Sequence, residues 1–230
     1  MRLDPDRTHD RGRQLSKAQR SVSNFIYPDY WPQATAELSE CDEVLARLIA
    51  DNRGLHLRSR GDAFFTLARS IVGQQVSVKA AETIWQRVLE KVGELSPHAL
   101  MLVETSVLQA CGLSSRKVSY LQDLAEHFIA NPFDQAEWAQ YDDVEVARRL
   151  MLIRGIGQWT AEMFLIFFMA RPNVLPVDDI GLQRAMSGFY NGGQPISKLK
   201  MREIARRWQP WQTVATWYMW RSLDPIPVEY

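Results

Sequence analysis

The chain has 230 residues, of which 46% are apolar and 23% charged, and 27 basic side chains balance 27 acidic ones. That is the composition of a folded protein with a real core, and nothing global in it announces nucleic-acid binding. No apolar run reaches the roughly 18 residues of a membrane span, Met1–Arg20 lacks the apolar centre of a secretory signal, and Cys41, Cys111 and four scattered histidines cannot build a zinc or iron–sulfur site.

In chain order the pattern is helical throughout. Apolar residues recur with helical spacing over Cys41–Ala50 (Val44, Leu45, Leu48), Ala63–Val72 (Phe64, Leu67, Ala68, Ile71) and Val78–Val92 (Ala81, Trp85, Val88). Ser96 followed by Pro97 opens a segment that runs to Cys111, where Gly112 ends it. Ser114 caps the next helix, with stripe Val118, Leu121, Leu124 and Phe128, which ends at Asn131–Pro132. Trp138–Leu152 reads as one helix, and the almost wholly apolar Thr160–Ala170 as another, buried on all sides. Strand alternation is nearly absent; Val174–Val177 is brief and interrupted by Pro176. The expected class is all-α, with no linker or repeat to divide it. Two basic runs, Arg2–Arg20 and Lys198–Arg207, read as solvated faces.

The stretch Leu152–Ala161, LIRGIGQWTA, is the most informative. A helix ends near Ile153, the turn Gly155-Ile156-Gly157 follows, and a helix opens at about Gln158. Two glycines allow a tight turn with positive φ and leave no Cβ to block a close approach. Ile156 can plug between the helices, while the amides of Gly155, Gly157 and the helix start offer a seat for a phosphate oxygen. Such a helix-hairpin-helix, about residues 146–170, grips DNA through main-chain amides and needs no basic surface. Taken alone, the same residues fit a glycine turn between core helices. Downstream, Leu175-Pro176-Val177-Asp178-Asp179 precedes a helix at Ile180–Met186, and either aspartate could cap it.

Together these segments resemble the helix-hairpin-helix DNA glycosylase superfamily, over roughly Ala63–Asp224. Ile71-Val72-Gly73-Gln74-Gln75-Val76-Ser77, Gly155-Ile156-Gly157-Gln158-Trp159-Thr160-Ala161, Leu175-Pro176-Val177-Asp178-Asp179 and Trp208-Gln209-Pro210-Trp211, with Trp220 beyond, are similar to motifs of its alkylpurine branch, the 3-methyladenine DNA glycosylase II type, in the same order. The resemblance implies a two-lobed helical bundle with the active-site cleft between the lobes. It implies a compact form: residues 26–230 as the glycosylase domain with no separate N-terminal β domain, and residues 1–25 as a mobile extension.

The resemblance also assigns roles. Cleavage of a purine glycosidic bond passes through an oxocarbenium-like transition state, which a fixed carboxylate stabilises. That role falls to Asp179, with Asp178 as cap or support, although the exchanged assignment stays open. Trp159 stands where strand-cutting branches place a Schiff-base lysine, and no lysine lies between Lys117 and Lys198, implying a monofunctional enzyme that uses water and leaves an abasic site. Trp159 and Trp220 correspond to pocket tryptophans suited to cationic alkylated purines; Met163 could line the same pocket, where relatives often carry Tyr. Gln75 occupies the wedge position that fills the space of the extruded base, where some relatives have Leu. Gly155, Gly157 and Thr160 belong to the DNA-binding hairpin, and Trp208–Trp211 is expected to pack the last helices against the hairpin lobe.

The implied partner is double-stranded DNA carrying alkylated bases, bound by a monomer away from membranes, in the cytoplasm at the nucleoid or in a eukaryotic nucleus. No cofactor is implied beyond a possible monovalent cation at the hairpin, and no built-in metal. Two other readings stay open: a glycosylase for another lesion, such as hypoxanthine, ethenoadenine or a mismatched pyrimidine, and a non-catalytic DNA-holding module.

Overall fold

The computed structural model describes residues 27–224; the expected extension at residues 1–25 and the first basic run lie outside them. Among the described residues, thirteen α-helices and one 3-10 turn form the regular structure, with no strand and no helix long and apolar enough to cross a membrane.

Helix α1 (Trp31–Cys41), which lies ahead of the first expected helix, buries Trp31, Ala34 and Leu38 along one face. The helix expected at Cys41–Ala50 is α2 (Glu43–Asp51), and Asp42 sets the boundary. Its carboxylate accepts from the amides of Val44 and Leu45, and also from Tyr190 and the Trp208 indole. An extended aspartate that satisfies so many donors ends one helix and starts the next.

The chain then builds a lobe around α3 (Ala63–Gly73), whose residues Ala63 to Val72 are all buried. Around it come α4 (Val78–Val92), α5 (Pro97–Met101), α6 (Thr105–Ala110), α7 (Ser115–Ala130), α8 (Gln135–Ala139), α9 (Asp143–Leu150) and α10 (Gln158–Phe167). Helices α4, α7 and α10 pack directly on α3. Two expected helices are each split. The segment from Ser96 to Cys111 bends at Leu102–Glu104, so that α5 and α6 each turn a leucine, Leu100 or Leu108, into the core. The segment Trp138–Leu152 breaks because Asp142 leaves helical geometry to accept the Glu145 amide at 2.8 Å, a cap competing successfully with helix continuation.

A second lobe joins both ends of the described chain. Helices α11 (Ile180–Tyr190), α12 (Lys198–Ala205) and α13 (Gln212–Arg221), with the 3-10 turn Arg206–Trp208, close on α1 and α2. Here Trp208 and Trp211 depart from expectation. Trp208 is fully buried and donates to Asp42; Trp211 donates to Glu37 and stacks on Tyr30 at 5.5 Å. They fasten the last helices to α1 and α2, not to the hairpin lobe, because the indole N–H groups find their acceptors there.

Candidate active site

The hairpin occupies residues 151–157, between α9 and α10. Its two glycines do different work. Gly155 has φ +88°, and a Cβ there would lie 2.3 Å from the Tyr120 ring on α7. Gly157 has ordinary extended geometry, and a Cβ would meet nothing within 4 Å. Positive φ therefore belongs to Gly155 alone, while Gly157 leaves an open surface. Ile156 is buried as expected. No side chain caps α10, and Gly157 and Gln158 are exposed, so the first-turn N–H groups are open to an anion. Thr160 is buried, and its hydroxyl accepts from the Gln74 amide at 2.9 Å. Its side chain is thus turned inward, and its main-chain N–H joins those open to an anion.

Across the interlobe groove, Asp179 caps α11 by accepting the Leu182 amide on Oδ1 at 2.7 Å. The same oxygen accepts the Trp220 indole N–H at 2.8 Å, and Oδ2 accepts that of Trp159 at 3.0 Å. One indole comes from the hairpin lobe and the other from α13, so the carboxylate is held from both sides. Asp178 is exposed and forms an ion pair with Lys198. The two aspartates, interchangeable in sequence, are therefore distinct in space. Trp220 stacks on Phe167 at 5.8 Å, and both tryptophans are half-buried. Met163 lies one turn beyond Trp159 but is only 2% exposed, part of the core and not of an open wall. Gln75 is exposed at φ +56° on the turn after α3.

Two contributors escaped the sequence reading. A Cβ on Gly181 would fall 3.0 Å from Asp179 Oδ1 and 3.3 Å from the Trp220 ring. Glu162 is the one carboxyl on α10; it accepts from Gln158 at 3.0 Å, and burial, then the charges of Asp178 and Asp179, push its pKa up. Its only signal is a lone acid in an apolar run. Gly181→Ala is expected to leave the melting temperature little changed, since the about 1 kcal/mol by which alanine favours helix is offset by the crowding of the capping carboxylate. Catalysis should nevertheless fall by about tenfold as the carboxylate and indole are displaced. Thermal melts alongside single-turnover kinetics check both.

Residues 68–210, more than half the chain, match the family described as HhH-GPD superfamily base excision DNA repair protein. The chain belongs to that superfamily. It is 29% identical over 197 residues to DNA-3-methyladenine glycosylase 1 of Schizosaccharomyces pombe, covering 83% of this chain and 86% of the relative. The solved structure of the Schizosaccharomyces pombe 3-methyladenine DNA glycosylase in complex with abasic DNA superposes with TM-score 0.74 at 28% identity, over 85% of this chain and all of that one. A Bacillus halodurans DNA-3-methyladenine glycosidase superposes with TM-score 0.67 at 34% identity, over 87% and 92% of the two chains. The all-α, two-lobed HhH-GPD architecture and a base excision DNA glycosylase function follow.

Proposed function

We propose that the chain is a monofunctional glycosylase that extrudes and hydrolytically removes alkylated purines, of the 3-methyladenine and 7-methylguanine type, from duplex DNA. The observation that carries this reading is the Asp179 carboxylate, fixed at a helix start by one amide and two indole N–H groups in the interlobe groove. Placed beside C1′, it stabilises the positive charge that develops as the glycosidic bond breaks, and it orients the attacking water. The names of the relatives support the substrate class. The hairpin holds the backbone through the amides of Gly155, Gly157 and Thr160, while Gln75 enters the space of the extruded base. Trp159 offers an indole face to a cationic base, and Trp220 closes the other side of the carboxylate. Met163 would meet the base only after a side-chain move. No lysine lies between Lys117 and Lys198; Lys117 is held by two carbonyls and Lys198 by Asp178. A monomer suffices for this chemistry, acting at the nucleoid or in a nucleus. A monovalent cation at the hairpin would rest on turn carbonyls, and no step depends on it.

The test is release of free base from methylated duplex DNA, followed chromatographically. Free 3-methyladenine without strand scission is expected; no methylated base would remove the substrate assignment, and scission would remove the monofunctional one. In the same assay Trp159→Ala should weaken excision by at least about 2- to 30-fold, the value of one cation–π contact of about 0.5–2 kcal/mol, because the hydrogen bond that helps fix Asp179 is lost with it. DNA affinity should fall less. Equal losses in both would count against stacking of a cationic base on Trp159.

A further inference from the structure

Gln74 and Lys117 lie away from the reacting centre, yet they join the two loops that must act together on DNA. Helix α7 runs beneath both. Its Lys117 Nζ donates to the carbonyls of Val72 and Gln74, each at 2.7 Å, at the C-terminal end of α3, where a cation suits the helix dipole. The ammonium is half-buried, faces carbonyls instead of a carboxylate, and burial pulls its pKa down. By holding the Gln74 carbonyl it fixes the peptide plane before Gln75, which sits at φ +56° with its side chain exposed, a conformation that residues with a Cβ disfavour. One turn further along α7, Tyr120 forms the floor under Gly155. The Gln74 side chain closes the circuit: its Nε2 donates to the Gly155 carbonyl and to Thr160 Oγ1, both at 2.9 Å.

We propose that Lys117 and Gln74 are positioning residues for base extrusion, locking the turn that carries Gln75 to the hairpin so that backbone grip and wedge move as one rigid unit. This role presupposes a base-flipping glycosylase. Extruding a base costs a few kcal/mol, and a wedge on a loose loop would yield instead of displacing the stack. With the wedge turn, the hairpin turn and the first turn of α10 bonded through one amide, the phosphate grip sets the depth of the wedge.

The experiment uses a duplex with 2-aminopurine opposite a tetrahydrofuran abasic-site analogue, whose fluorescence change reports entry of the wedge. Base release from methylated duplex and anisotropy on undamaged duplex run beside it. Lys117→Met and Gln74→Ala should each lose most of the fluorescence change and slow base release by about 10- to 100-fold. Affinity for undamaged duplex should stay within about threefold, since phosphate contacts are untouched. Lys117→Arg should recover part of the signal. The double variant Gln74→Ala/Gln75→Ala should be no slower than Gln75→Ala alone, because Gln74 acts through the wedge. A wild-type fluorescence change in folded Lys117→Met and Gln74→Ala, or full additivity in the double variant, would overturn the assignment. If Lys117→Met does not fold, Gln74→Ala decides, since it retains the main-chain carbonyl that Lys117 holds. A wild-type protein that releases no methylated base but shows a fluorescence change lost in the variants would remove the substrate reading and leave the positioning role intact. No fluorescence change in the wild type would remove the positioning role.

Discussion

Asp179→Asn is expected to slow release of methylated base by at least about 100- to 1000-fold, the scale on which a preorganised charge stabilises a transition state. Fold and DNA affinity should barely change. The substitution is isosteric, and asparagine caps a helix as well as aspartate, so its oxygen can still take the Leu182 amide and the Trp220 indole. What is lost is the negative charge that the proposed mechanism sets beside C1′, together with the acceptor for Trp159, which would face an amide N–H instead. The stability cost should therefore be about 1 kcal/mol, one unmade hydrogen bond. Asp178→Asn is the internal control. It breaks an exposed ion pair with Lys198, of a kind worth about 0–1 kcal/mol, and should leave base release within a few-fold of wild type. Single-turnover kinetics on methylated duplex, with melting curves for each variant, read both outcomes. If Asp178→Asn is the inactive variant, the roles of the two aspartates are exchanged.

The difference between those neighbours marks what a sequence can convey. Helical periodicity, the serine caps at Ser96 and Ser114, the hairpin and the aspartate at a helix start are all local, set by residues within a turn or two of each other. They were legible. Helix breaks at Asp42 and Asp142 were not, because an aspartate inside a periodic stretch can point to solvent or cap, and the tertiary donors decide which. For Asp42 those donors are Tyr190 and Trp208, well over a hundred residues away. The same distance hid the destination of Trp208 and Trp211. In the site, the motifs placed Trp159, Trp220 and Asp179 near one another, but not that both indoles bond the carboxylate edge-on, 20 and 41 residues across the chain. Nor could they show that Gly181 clears space for that arrangement, or that Met163 turns into the core while Trp159 does not.

Gly155→Ala should be the most destabilising small change in the hairpin. A left-handed residue with a Cβ costs about 1–2 kcal/mol. The added methyl would lie 2.3 to 2.7 Å from three atoms of Tyr120, and forcing that overlap apart costs about a further 1–3 kcal/mol. Their sum, about 2–5 kcal/mol, is a large part of the 5–15 kcal/mol that holds a typical domain together. Urea denaturation should show the midpoint falling accordingly, and DNA affinity should fall with it as the turn shifts off α7. Gly157→Ala separates the two contributions of the hairpin. Its backbone is ordinary and its Cβ would meet open space, so stability should stay within about 0.5 kcal/mol of wild type. The methyl would nonetheless stand on the surface that approaches the phosphate, and anisotropy should report weaker DNA binding. Replacing Tyr120 by Ala in the Gly155→Ala background should return the part of the overpacking cost owed to the ring atoms at 2.3 and 2.5 Å, but neither the part owed to the Cβ at 2.7 Å nor the backbone cost, a non-additive recovery expected only of residues in contact. Equal stability of Gly155→Ala and wild type would mean that the hairpin does not rest on Tyr120, and α7 could not then hold it in register with the wedge. Unchanged DNA affinity in Gly157→Ala would place the phosphate elsewhere than on the open amides at the start of α10.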